Sequence, residues 1–240
     1  MNTKVIKLVY LLLVLLPVGS GLVYALLFSL GIVGVLNTGY TTAAWSEVLF
    51  NSGFWSSMGY SLYVALLSVF LAVCIALTLS LSWQKYLQKG WLSTAIYLPL
   101  CFPATVMAFF SFQLLAKSGL LARFFYRLGW IEGIQGFPTL VKDAYGMGIV
   151  FTSVLLVTPF FTILFTQLYQ SEKLAQLIAL SKTLGANSIQ VLLKIVVPVL
   201  LKKSLASLVL FVIFVMGSYE VPLLLGRQNP QMISVAVIDK

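Results

Sequence analysis

Few residues in this sequence are equipped for chemistry, and those few are scattered. The 240 residues contain no histidine, six carboxylates and two cysteines. Without histidine, the commonest general base and the commonest zinc ligand are missing. Glu47, Glu132, Asp143, Glu172, Glu220 and Asp239 lie far apart in the sequence. They do not form the paired carboxylates that acid–base hydrolysis or a metal centre would need. Cys74 and Cys101 sit in apolar runs and read as small packing residues, not as a disulfide or a metal pair. No Gly-x-x-x-x-Gly-Lys phosphate loop occurs, so the chain is not expected to hydrolyse ATP itself. No catalytic residue, metal ligand or bound cofactor is therefore assigned.

What remains is one patterned segment and a few residues out of place in apolar surroundings. In 171–198, Leu174, Leu177, Ile178, Leu180, Ser181 and Leu184 form a largely apolar stripe at helical spacing. Gly185 interrupts it; Ile189, Leu192, Leu193, Val196 and Val197 resume it, and Pro198 closes it. The pattern predicts helix, tight turn, helix, with Gly185 supplying a conformation open to few other residues. A short surface helix with apolar residues must bury them, and a partner protein and the bilayer are equally good covers on pattern alone. Glu220 stands near the end of an apolar run. Such a group is costly in lipid and faces a cavity, a partner or the headgroup layer. Thr158 and Pro159 lie inside another apolar run and are expected to break it and expose carbonyls. Pro99 and Pro103 mark a third run as kinked.

Lipid must be the solvent for the elements that hold these residues. Apolar residues make up 60% and charged residues 9%, against about a quarter charged in soluble domains; mean hydropathy is +1.03. Five runs, at 8–30, 58–81, 92–115, 146–168 and 199–225, are long enough to cross a ~30 Å hydrocarbon core as helices. The run at 58–81 is apolar all round, without the alternation of a barrel strand. The first run is too long for a signal peptide and is read as a retained span. The expected fold is all-α, a polytopic transmembrane bundle. Residues 1–57 give the first span and an outer loop, and 58–240 give the core.

Net charge is +9, and the basic residues cluster at the ends of apolar runs, so nucleic-acid binding is not expected. Lys4, Lys7, Lys85, Lys89, Lys173, Lys182, Lys194, Lys202 and Lys203 fall on alternate loops. That bias predicts a cytoplasmic N-terminus and a cytoplasmic 171–198 segment. Lys117, Arg123, Arg127, Lys142 and Arg227 fall on the other side. There, Leu120, Leu121, Phe124, Phe125 and Leu128 predict an interfacial amphipathic helix, lying on lipid or receiving a partner.

The stretch Ala179-Leu-Ser-Lys-Thr-Leu-Gly-Ala-Asn187, followed by Ile189-Gln-Val-Leu-Leu-Lys-Ile-Val-Val-Pro198, resembles the EAA loop of binding-protein-dependent ABC importer permeases. Lys182 stands at its basic position, Thr183, Leu184, Gly185 and Ala186 match directly, and Pro198 matches its closing proline. Ala179 stands where the family usually has Glu, and Leu180-Ser181 replaces Ala-Ala, so the shape-based part of the motif carries the likeness. Tyr60 to Leu67, Leu98 to Met107 and Gly217 to Gly226 are similar to other permease pieces in the expected order. The last is similar to the branch importing polyamines, ferric iron, thiamine or sulfate.

The resemblance implies a type I-like permease in a bacterial cytoplasmic (inner) membrane. Its partners would be two cytoplasmic ABC ATPase subunits that use ATP, a second permease chain (same or paralogous) and an extracytoplasmic substrate-binding protein, besides membrane lipid. Coupling to the ATPase would fall to Leu177, Leu180, Ser181, Lys182, Thr183, Leu184, Gly185, Ala186, Ile189 and Pro198. Pro103, Thr158, Pro159, Tyr219 and Glu220 are candidates for the substrate pathway. The family's usual sixth span is not expected in these residues, because 232–238 is too short to cross; a shortened variant and a truncated chain both fit. A secondary transporter, lacking here the repeated halves and mid-membrane carboxylates it would show, and a non-transporting assembly subunit are the alternatives.

Overall fold

A computed structural model describes residues 3–34, 39–83, 87 and 91–238. Met1, Leu36, Asn37, Lys85, Lys89 and Lys240 lie outside the described residues, as do the side chains of Lys4 and Lys7. All regular structure among the described residues is helical. Among the described residues, four stretches are long and apolar enough to cross a membrane: Val9–Ser29, Ser52–Ser82, Ala104–Arg127 and Met147–Ser171. A fifth is added if Ser188–Lys203 and Leu205–Gly217, which meet at 60°, form one broken span. This is the make-up of a polytopic membrane helix bundle.

The chain divides into two units, Met1–Trp55 and Ser56–Lys240. In the first, helix α1 (Thr3–Ser29) runs unbroken through Pro17. The short α2 (Ala43–Phe50) folds back on its end: the Trp45 indole N–H donates to Ser29 Oγ at 3.1 Å, and Thr41 N–H donates to Leu30 O at 2.9 Å.

The second unit is built on α3 (Ser52–Ser82). Its buried face carries Tyr60 and, along the rest of its length, Ser57, Ser61, Val64, Ala65, Ser68, Val69, Ala72, Val73, Ala76 and Ser80, small or β-branched side chains at helical spacing. Its bulky Leu66, Phe70 and Ile75 are exposed. Small residues inside and large apolar residues outside suit a helix surrounded by lipid, where close backbone approach, not withdrawal from water, drives association. Against that face pack Val157, Phe161 and Phe165 of α7 (Met147–Ser171).

Span three differs from its sequence reading. Instead of one helix over 92–115, there is α4 (Trp91–Tyr97), a 3₁₀ turn (Leu98–Cys101), a break at Phe102–Pro103, and then α5 (Ala104–Leu115). Phe102 is extended, at φ −93° and ψ 134°, as the residue before a proline is forced to be. After Ala116 the chain turns tightly into α6 (Leu120–Arg127). A Cβ at Gly119 would lie 2.6–2.9 Å from the carbonyl oxygens of Gln113, Ala116 and Leu114, so only glycine fits this turn.

Thr158 and Pro159 do not break span four, because α7 is continuous through both. Pro159 removes one backbone donor, the one that would bond to Leu155 O. In the following turns the Thr162 hydroxyl donates to Thr158 O at 2.8 Å and the Thr166 hydroxyl to Thr162 O at 2.7 Å.

Span five is the opposite case: it is not one helix. After α8 (Leu174–Thr183), α9 (Ser188–Val191) and a π turn at Leu192–Val196, α10 (Val197–Lys203) ends at Ser204. The chain bends there into α11 (Leu205–Gly217), opens at Ser218, and re-forms as α12 (Glu220–Leu225) before the short α13 (Ile233–Ile238). The π turn lies where Pro198, lacking an N–H, cannot bond back to Lys194.

Phe211 joins α11 to α7, with ring centroids 5.2 Å from Phe161 and 4.6 Å from Phe160. Phe161 is fully buried. Its replacement by alanine would leave a cavity in the buried core shared by α3, α7 and α11. We expect a loss of about 3 kcal/mol, read as a lower thermal unfolding midpoint of the detergent-solubilised chain.

Candidate functional site

The segment after α7 is shaped by local hydrogen bonds. Lys173 takes a left-handed conformation at φ 51°, reversing the chain at the end of α7, and its carbonyl accepts from Gln176 N–H at 2.9 Å to start α8. The far end of α8 closes in a Schellman turn. Gly185 N–H donates to Lys182 O and Ala186 N–H to Ser181 O, both at 3.0 Å, with Gly185 at φ 84°. These are the paired bonds of a helix that stops at a left-handed residue. Asn187 then caps α9: its side chain accepts from Ile189 N–H at 2.7 Å and Gln190 N–H at 3.3 Å, while Gln190 Oε1 accepts from Asn187 N–H at 3.1 Å. This capping box was readable as Asn-x-x-Gln, yet sequence reasoning passed over it.

The apolar stripe divides between two faces. Leu174 is fully buried, and Ile178 and Ala186 pack on the same core as Phe161, Phe165, Val191, Val196 and Leu200. Leu177, Leu180 and Leu184 point away from it: Leu180 is 61% exposed and Leu184 87%. Ile189 continues this outward set across the turn. Lys182 and Thr183 are exposed too, and the Ser181 and Thr183 hydroxyls donate back to Leu177 O and Leu180 O, both at 2.7 Å. Pro198 sits at the start of α10, half-buried. The sequence-predicted coupling residues therefore separate into an outward apolar patch and an inward seat.

Two links tie this seat to the spans. One is the packing of Leu174 and Ile178. The other is an ion pair, Lys203 Nζ to Glu172 Oε1 at 3.0 Å, joining the end of α7 to the bend before α11. Both side chains are partly exposed, so the pair contributes at most about 1 kcal/mol, and packing is the stronger link.

At the other end of the bundle, a cavity of about 350 Å³ lies where helices are interrupted. Ala104, directly after Pro103, lines it, as do Ser153, Val157, Phe214, Tyr219 and Glu220. Ser153 and Val157 are about 9 and 15 Å along α7 from its start at 1.5 Å per residue. Of the pathway candidates, Tyr219 and Glu220 line it together, whereas Pro103 is represented only by its neighbour Ala104. Thr158 and Pro159 are not among the lining residues, and the Thr158 hydroxyl is buried without a partner. Phe214 was not legible as a lining residue, because α11 shows no polar face that would mark a cavity, and Ser153 is a single small polar residue in the apolar run of α7.

No family model and no curated protein matches this chain.

Proposed function

We propose that the chain is the permease subunit of a binding-protein-dependent ABC importer of the type I-like class, and that α8 couples it to a separate ATPase. The observation that carries this reading is the exposed patch of Leu177, Leu180 and Leu184 on a surface helix stopped by a Schellman turn at Gly185. That geometry coincides with the residues that resemble the EAA loop. The bundle lies in a bacterial cytoplasmic membrane with its N-terminus and 171–198 inside. A second permease chain completes the pore, two ATPase subunits each take one coupling helix, and an extracytoplasmic binding protein delivers cargo. This chain binds no cofactor; ATP is consumed by the partners.

In this mechanism ATP closes the ATPase pair and draws the two coupling helices together. Because Leu174 and Ile178 are seated against α3, α7 and α10, movement of α8 tilts the spans and opens the cavity beside Tyr219 and Glu220. ATP shifts this equilibrium only if α8 is held differently in the two states. Affinity isolation of the intact chain from its native membrane, after cross-linking, tests the assignment. We expect a nucleotide-hydrolysing subunit linked to 177–189. Cross-links to this segment from lipid-directed reagents alone would remove the coupling role.

A further inference from the structure

Helix α6 carries a surface to which the proposed coupling gives no role. It is eight residues and about 12 Å long, and it closes the Ala104–Arg127 stretch, so it lies at that stretch's end. Ala122 is fully buried and fixes one side, while Phe125 stacks on Trp130 and Phe137 at centroid distances of 5.2 and 6.1 Å. Leu120 and Phe124 are each 59% exposed, and Leu128, just past the helix, is 48% exposed. At about 100° per residue the order around the helix is Arg123, Arg127, Leu120, Phe124, Leu128, so both arginines border one edge of the apolar strip. Lys117 precedes the helix, all three basic side chains are exposed, and no acidic residue lies between Ala116 and Trp130. Arg123 is already steadied, its Nε–H donating to Ser118 O at 3.0 Å.

Charge complementarity and place select the occupant. The helix follows α5 after one turn, and α5 exposes Phe109 and Phe110 as a lipid-facing span does. An apolar strip edged by arginines at the end of a span lies at the depth of headgroup phosphates. We propose that α6 is a binding element for anionic lipid: Leu120, Phe124 and Leu128 enter the acyl region, and Lys117, Arg123 and Arg127 hold headgroup phosphate. Arginine suits this task because its planar guanidinium donates two parallel bonds to one phosphate.

The test uses the intact chain in nanodiscs of mixed phosphatidylcholine and phosphatidylglycerol, with retained lipid counted by native mass spectrometry after extraction. We expect the wild-type chain to retain phosphatidylglycerol preferentially. At about fivefold per charge, Arg123→Gln with Arg127→Gln lowers that preference about 25-fold, with an unchanged thermal midpoint. Inorganic phosphate displaces the lipid no better than chloride at equal ionic strength. An unchanged preference in the double variant overturns the proposal, as does displacement by free phosphate, which would mark a soluble-anion site, or retention of a protein instead of lipid on α6.

Discussion

Replacing Gly185 with valine is expected to abolish ATP-dependent uptake while the chain still inserts into the membrane. Gly185 holds φ at 84°, and a Cβ added there would meet no atom within 4 Å. Space is therefore not what the position demands. A left-handed conformation costs an L-residue about 1–2 kcal/mol, and β-branching raises the cost further. The turn is exposed and joins two short helices, so it relieves that strain by changing shape. The carbonyls of Ser181 and Lys182 then lose their Schellman partners, and the patch from Leu177 to Ile189 swings away from its seat. The spans are spared, because their core lies in α3, α7 and α10. Gly185→Asn tests whether conformation is the cause, since asparagine tolerates the left-handed region and should keep most uptake, with alanine intermediate. Uptake into vesicles holding the full transporter is the measurement. Wild-type uptake by the valine variant would show that the angle of this turn does not matter to coupling.

The apolar spans were legible because composition and run length decide them, but whether a proline interrupts a span was not. Pro17 and Pro159 stay within continuous helices, whereas Pro103 starts a new one. The difference lies in the spacing of the prolines. Pro17 and Pro159 each remove a single backbone donor from their stretch of helix. At Pro103 a second proline, Pro99, stands four residues earlier, so two backbone donors are missing from adjacent turns. A one-dimensional hydropathy pattern contains neither fact. The bend at Ser204 escaped for a similar reason: Lys202 and Lys203 mark where a span meets water, but not the angle at which it does so.

In 171–198 the six-residue stripe was visible and its division was not. At about 100° per residue, Leu174, Ile178 and Ser181 fall within one narrow arc, and Leu177, Leu180 and Leu184 within the next. Both arcs are mostly apolar, and periodicity cannot say which of two neighbouring apolar arcs faces the bundle. Packing decides: the first joins the core with Phe165 and Val191, and the second is left exposed. The Glu172–Lys203 pair joins residues far apart in sequence, and no local pattern announces it.

That division sets up a separation of folding from docking. Leu184→Asp is expected to weaken association with the ATPase at least about thirtyfold, the effect of losing a central anchor worth about 2 kcal/mol, and to leave the stability of the chain within about 0.5 kcal/mol. Leu184 is 87% exposed, so aspartate there disturbs no packing in the free chain. In a closed interface the same carboxylate must shed water without a partner, which costs several kcal/mol. Leu174→Ala is the counterpart. Leu174 is fully buried, and truncation removes about 2–5 kcal/mol from the seat itself, lowering the unfolding midpoint before any partner is added. Co-purification and thermal unfolding of the two variants should therefore move on different axes. Leu184→Lys discriminates the remaining case. A helix lying on anionic lipid accepts lysine, which extends its charge to the headgroups, and rejects aspartate, whereas an apolar protein groove rejects both. Co-purification that survives Leu184→Lys but not Leu184→Asp would place α8 on the bilayer, and wild-type co-purification of both would remove Leu184 from the ATPase contact.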